Sequence, residues 1–137
     1  MLKTNKGDNS KEPSTQNILS IDGEWKLYEF HNQNIKIDKS TERSIPLLGI
    51  NTSEMKIHGR DGCNTIFGTM VKLENNSIEI GKIGGTKMYC GNEFYDDVFR
   101  RELLEARMFE IKAQKLFLFN NDGNKTLEFD RMIEAKK

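Results

Sequence analysis

The chain has no long apolar run, few cysteines, few prolines and no excess of charge of either sign. Each shortage excludes something. No stretch is apolar for long enough to cross a bilayer as a helix. The opening residues, Met1-Leu2-Lys3-Thr4-Asn5-Lys6, lack the apolar centre of a signal peptide. Two expectations follow: a cytosolic protein, or a chain that begins after a removed export signal. Lys plus Arg and Asp plus Glu both number 21, so the formal net charge is zero. That balance provides no broad field for capturing nucleic acid or an anionic membrane. Of the two prolines, Pro13 lies in a polar stretch, and Pro46 has no N–H to give a sheet ladder. Pro46 should therefore start a strand or sit on an edge. Neither C-x-x-C nor paired-histidine spacing occurs, so no metal site is expected from Cys63, Cys90, His58 and Asp61.

What is present fits one domain. At 137 residues the chain can bury a real core but is too short for two ordinary domains. Residues 1–17 are polar and read as a flexible leader, because they have too little apolar surface to offset the entropy of ordering. Residues 18–134 form the expected domain, and 135–137 a polar tail. Trp25 and Leu27 alternate with Glu24, Lys26 and Tyr28, the pattern of a half-buried strand. Ile35 and Ile37, beyond the Asn32-Gln33-Asn34 turn signal, continue this pattern. So do Leu48 and Ile50, Met55 and Ile57, Phe67 to Leu73, and Ile78 and Ile80 after Asn75-Asn76.

One helix interrupts the strands. Asn92 is its expected N-cap, with Glu93, Asp96 and Asp97 near the positive end of the helix dipole. Phe94, Val98, Phe99, Leu103 and Leu104 form the expected buried stripe, and the helix should end near Ala106. Phe109 and Ile111 then resume alternation. Leu116 to Phe119 is apolar throughout, which predicts cover on both faces. Asn121-Asp122-Gly123-Asn124 is the strongest hairpin signal, with Leu127 and Phe129 on the partner strand. The fold class expected is mainly β: an antiparallel, curled or barrel-like sheet of short strands with one packed α-helix. The helix would plug an end or cover a seam.

The densest motif is Gly59-Arg60-Asp61-Gly62-Cys63-Asn64-Thr65-Ile66-Phe67-Gly68, answered by Thr86-Lys87-Met88-Tyr89-Cys90. Glycines so close together mark a tight turn or a close approach of backbone. Together with Gly23-Glu24-Trp25-Lys26-Leu27 and the closing Leu127-Glu128-Phe129-Asp130-Arg131, the pattern resembles the META domain, HslJ-like family. The positions that carry the resemblance are Trp25, Gly59, Gly62, Cys63, Asn64, Gly68, Thr86, Met88 and Cys90. It implies a small barrel-like domain with a packed helix, in bacterial envelope or secreted proteins that are often lipoproteins, linked to heat and other stress. It implies no catalytic residues and no cofactor. A membrane tether through a processed N-terminus belongs to the same implication, and a cytoplasmic location fits it less well.

Two cysteines fit one disulfide, Cys63–Cys90, and an exported domain would permit it. Two buried thiols acting as small hydrophobes fit the residues as well. A thiol-dependent enzyme would pair Cys63 with His58, yet strand alternation points His58 to solvent and no third group positions it. Gly81 to Lys87 lacks the full spacing of a phosphate loop and reads as a turn. Asp96, Asp97, Glu102 and Glu105 read as a solvated face, and Arg100-Arg101 as a surface pair too small for nucleic acid. Asn64 is expected to satisfy orphaned backbone groups, while Trp25 and Phe67 are expected in the core. The functional expectation is a non-enzymatic binding domain whose partner is a protein or small ligand. A carrier with an apolar barrel pocket and the thiol enzyme are the alternatives.

Overall fold

A computed structural model describes residues 21–31, 35, 45–90 and 95–132. The expectations for the leader, the tail, Asn32 to Asn34, Ile37 and Asn92 to Phe94 lie outside the described residues.

Among the described residues eight strands occur in order: β1 (Gly23–Phe30), β2 (Leu47–Asn51), β3 (Lys56–Arg60), β4 (Thr65–Glu74), β5 (Ser77–Gly85), β6 (Ala106–Lys112), β7 (Lys115–Asn120) and β8 (Lys125–Arg131). Each pairs antiparallel with the next, and β8 returns to β1 to close the barrel. Among the described strands closure leaves no free sheet edge to template association with another chain. The helix α1 (Asp96–Glu105) joins β5 to β6.

Alternation decides which side chains fill the barrel. Trp25, Leu27, Leu48, Ile50, Ile57, Ile66, Ile78, Ile80, Leu116, Leu118, Leu127 and Phe129 are all buried in one core. Where alternation slips, a bulge restores it. The register jumps between Leu27 and Glu29, so Phe30 also faces inward. A similar jump after Met70 lets Leu73 pack against the core. The Trp25 indole Nε1 donates to the Ile21 carbonyl at 2.9 Å, which satisfies the one polar atom of that buried ring.

The weakest seam lies between β5 and β6. Its ladder consists of Ser77 opposite Met108, supported by the Phe109 amide donating to the Asn76 carbonyl at 2.9 Å. Helix α1 packs on β5 beside this seam. Phe99, Leu103 and Ala106 fall at helical spacing and are fully buried. The Phe99 ring meets Phe129 edge-on, with centroids 6.1 Å apart. The helix therefore supplies apolar side chains where sheet pairing is thin.

Five expectations need correction. Phe67 is 60% exposed, because Ile66, Gly68 and Met70 take the inward parity of β4. Leu104 is exposed, since the buried stripe of α1 runs through Phe99 and Leu103, about 100° away around the axis from Leu104. Glu102 is buried rather than solvated. The outer face of β7 is only half covered: Phe117 carries Lys125 Nζ 4.2 Å above its ring, in place of a second apolar layer. The helix N-cap is Tyr95, with no side-chain cap bond. Asn120 secures the expected last hairpin, its Oδ1 accepting from the Asp122 and Asn124 amides at 3.0 Å each.

Candidate functional site

The motif residues meet at one end of the barrel, where the 61–64 turn leaves β3 and the 86–90 segment follows β5. Gly59 lies where β3 passes closest to β2, and a Cβ there would collide with the Leu47 carbonyl. Gly62 turns with φ +98°, a conformation that disfavours other residues. Gly68 pairs with Ile57 on one side and Ile83 on the other. Cys63 and Cys90 form a disulfide with Cα atoms 5.9 Å apart and stand 27 positions apart in sequence. Closing a loop of that size stabilises by about 3 kcal/mol in the chain-entropy account.

Asn64 uses both ends of its amide. Oδ1 accepts from the Met88 amide at 2.7 Å and from the Thr86 hydroxyl at 2.7 Å. Nδ2 donates to the Met88 carbonyl at 3.1 Å. Thr86 Oγ1 in turn accepts from the Thr65 amide at 3.2 Å. Asn64 thus takes the place of a strand partner for Met88, satisfying both its N–H and its C=O.

Asp61 plays the matching part within the turn. Its side chain is fully buried. Oδ1 accepts from the Cys63 amide at 2.9 Å and the Asn64 amide at 2.6 Å, and Oδ2 is bound by Arg100 of α1. Arg100 also reaches Asp96 and Asp97. Partial burial opposes the charge on Arg100, but the Asp61 bond and the three carboxylates outweigh it and raise the guanidinium pKa. The motif turn and the helix are therefore joined by an ion pair whose carboxylate is buried and whose guanidinium is partly exposed. Removing Arg100 is the costly direction, because the buried Asp61 carboxylate is left uncompensated. The expectation of Arg100-Arg101 as a surface pair thus fails at Arg100.

With Cys63 bonded to Cys90, neither sulfur is a thiolate. His58 faces outward and contacts Glu24 Oε2 at 2.9 Å, away from any sulfur chemistry. Trp25 is core. None of these positions presents a reacting group.

The 61–64 turn and the 86–90 segment, tied by the disulfide and by Asn64, form a knot of bonds, and two surfaces beside this knot are open. A groove of about 550 Å³ runs between the 84–89 segment and the start of α1, with Lys87, Tyr89, Asp97 and Arg100 on its walls. A shallow apolar concavity of about 540 Å³ adjoins it through Ile83 and Gly84, and is walled by Phe67 and Leu104. Phe67 stands opposite Gly84, and Val71, 61% exposed, would collide with a Cβ on Gly81. The glycines let large side chains lie flat against the outer sheet.

A third cluster sits where β1 meets β8. His31 Nε2 is 2.7 Å from Glu128 Oε1, and Lys115 Nζ is 3.0 Å from Glu128 Oε2 and 2.7 Å from Asp130. Burial pushes the Glu128 carboxyl up, but the hydrogen bonds from His31 and Lys115 more than offset it, and its pKa is lowered. Lys115 is raised, chiefly by its bond to Asp130.

A sequence model of the META domain matches residues 17–133. The chain belongs to the META domain family. Among solved structures, a protein from Burkholderia xenovorans determined by NMR aligns with a TM-score of 0.69 at 20% identity, covering 98% of this chain and 100% of that one. A second NMR structure aligns at 0.58 with 22% identity, over 80% and 88% of the two chains. A DUF4847 family protein from Bacteroides vulgatus aligns at 0.57 with 14% identity, over 85% and 97%. These likenesses support the fold alone. A search of curated proteins finds no match.

In this META domain the nine resemblance positions are spread between core and knot. Trp25 and Gly68 belong to strands, while Gly62, Cys63, Asn64, Thr86, Met88 and Cys90 lie in or beside the knot. Sequence reasoning missed the Asp61–Arg100 pair and the Glu128 cluster. Asp61 and Arg100 are 39 positions apart, and His31 and Glu128 are 97 apart, so neither pair has a local signature.

Proposed function

We propose that this META domain works by binding rather than by catalysis, holding apolar segments of other proteins as an envelope-associated or secreted stress-response module. The observation that carries this reading is the outward apolar strip on β4. Phe67 and Val71 are 60% and 61% exposed, and Leu104 stands beside Phe67. Single exposed apolar residues are ordinary, but a contiguous patch on a closed barrel is a candidate contact surface. The glycines of β5 beneath these side chains leave a shallow concavity in which an apolar segment can lie. Removing such side chains from water favours binding by about 25 cal/mol per Å² of apolar area covered.

Other features agree. The disulfide suits an oxidising compartment, and with it an exported location. The core is filled by Trp25, Phe30, Phe99, Phe109 and Phe129, all within 2% of complete burial. That packing favours binding on the outside over the carrier alternative, in which a ligand would enter the barrel. The bonded sulfurs weigh against the thiol alternative.

The test is the aggregation of a reporter enzyme diluted from guanidinium at room temperature, followed by light scattering. The wild-type domain is expected to suppress scattering in proportion to its concentration. The double variant Phe67→Asp, Val71→Asp is expected to fail while keeping the wild-type melting temperature. Equal suppression by that variant, or none by the wild type, would overturn the reading.

A further inference from the structure

We propose a divalent transition-metal site on the outer face of the barrel where β1 meets β8, built from Glu29, His31 and Glu128. This site is independent of the apolar strip. The β1 bulge creates it: register passes from Leu27 opposite Phe129 to Glu29 opposite Glu128, so Tyr28 is skipped. Glu29 and His31 are two residues apart and share a face, and the His31 amide donates to the Thr126 carbonyl at 2.8 Å, which continues the ladder. Glu128 alternates with the core residues Leu127 and Phe129, so it points outward on the side of Glu29 and His31, yet it is only 8% exposed. One carboxylate oxygen from each glutamate and one imidazole nitrogen lie within 4.8 Å of one another.

Charge favours a cation here. Two carboxylates directly opposite on neighbouring strands repel. Lys115 touches Glu128 at 3.0 Å but bonds Asp130 at 2.7 Å, and those two charges cancel. The two glutamates then carry a charge of about −2 that a divalent ion would match. Lys115 also lies over the Tyr28 ring at 4.3 Å, which fixes it on the far oxygen of Glu128, where it orients a ligand rather than blocking it.

The donor set selects the metal class. One imidazole with two carboxylates suits zinc and its transition-metal neighbours, whereas calcium and magnesium prefer oxygen alone. Zinc binds such atoms at about 2.0–2.2 Å, and small rotations of exposed side chains would close the cluster to that distance. The ion would displace the hydrogen now shared by His31 Nε2 and Glu128 Oε1 at 2.7 Å, the two atoms parting to admit it, and leave the ring proton on Nδ1. Three protein donors leave a fourth position for water or an outside ligand. The expectation of no metal site rested on cysteine and histidine spacing, and a site assembled from strands at opposite ends of the chain has no such spacing.

The test is calorimetric titration of the purified protein with zinc chloride, paired with NMR of its two histidine rings. The expected result is one ion per chain and a shift of the His31 ring resonances with those of His58 unmoved. Glu29→Gln and His31→Ala should each weaken binding about tenfold or more, the scale on which even outer-shell changes act. His58→Ala should bind like the wild type. No saturable uptake, a response confined to His58, or undiminished binding by Glu29→Gln would overturn the site. Because Glu29 is exposed, its variant keeps the fold and makes that last outcome decisive.

Discussion

The motif knot and the outer face of β4 and β5 lie side by side, joined through Ile83 and Gly84, and they differ in what they leave unmet. In the knot, Asn64 spends its whole amide on Met88 and Thr86, Asp61 takes two backbone amides and Arg100, and both sulfurs are bonded. On the outer face, Phe67 and Val71 stand in water above glycines. The knot holds most of the residues that make the sequence recognisable, and their polar groups and sulfurs are consumed by internal bonding, while the Met88 and Tyr89 side chains stand exposed beside them. The outer face has no motif of its own, yet its Phe67 and Val71 side chains are left free for contact. A dense cluster of chemical residue types therefore marks, in this barrel, a place that holds the fold together.

Breaking the knot should cost stability, in proportion to how many buried groups each change strands. Asp61→Ala should cost most, about 3–5 kcal/mol, because it leaves two amides of the turn without an acceptor, at about 1–3 kcal/mol each, and takes from Arg100 one of its three carboxylate partners. Urea unfolding would measure it, and a cost under about 1 kcal/mol would mean that the pair is ornamental. Replacing both cysteines with alanine should cost about 3 kcal/mol, read from the same transitions and compared with wild type under reducing conditions. Matching midpoints for reduced and oxidised wild type would contradict a structural role for that bond.

Changes on the outer face should sharpen the contrast by doing the opposite. Phe67→Asp with Val71→Asp should move stability by no more than about 0.5 kcal/mol per site while abolishing suppression of reporter aggregation. A collapse of stability would place those side chains in the fold's own packing instead.

The smallest expected effect is at the β1–β8 cluster. The lowered pKa of Glu128 means that its contribution is fully present above the ordinary value of 4.5 and is lost as pH falls through the lowered folded value. Glu128→Gln should therefore cost about 1 kcal/mol or less near neutrality, with wild type and variant converging as the pH is lowered. Urea midpoints across that acid range would show the convergence, and parallel curves would deny the linkage.

Much of the fold was legible because strands and hairpins are local. Alternation in Trp25-Lys26-Leu27 and Ile78-Glu79-Ile80 marked inward faces, and Asn121 to Asn124 marked the last hairpin. Parity failed where a run is apolar on both sides. Phe67 follows Ile66 and precedes Gly68, and nothing in that local order says which of them turns inward. The bulge after Leu27 was equally silent, since one added residue alters the register without altering composition. In the site, Asn64 was readable as a provider of hydrogen bonds from its glycine neighbours. Its partner Met88, the Arg100 contact to Asp61 and the Glu29–His31–Glu128 grouping depend on how distant strands and the helix meet, which residue spacing does not encode.

The central claim is that the motif holds the fold and that contact is made elsewhere. Asn64→Ala tests it most directly, with denaturant stability and suppression of reporter aggregation measured on the same preparation. The account predicts a loss of about 1–3 kcal/mol from the unpaired Met88 and Thr86 groups, with undiminished suppression per folded molecule. Unchanged stability with suppression abolished would contradict it, and would make Asn64 a binding residue.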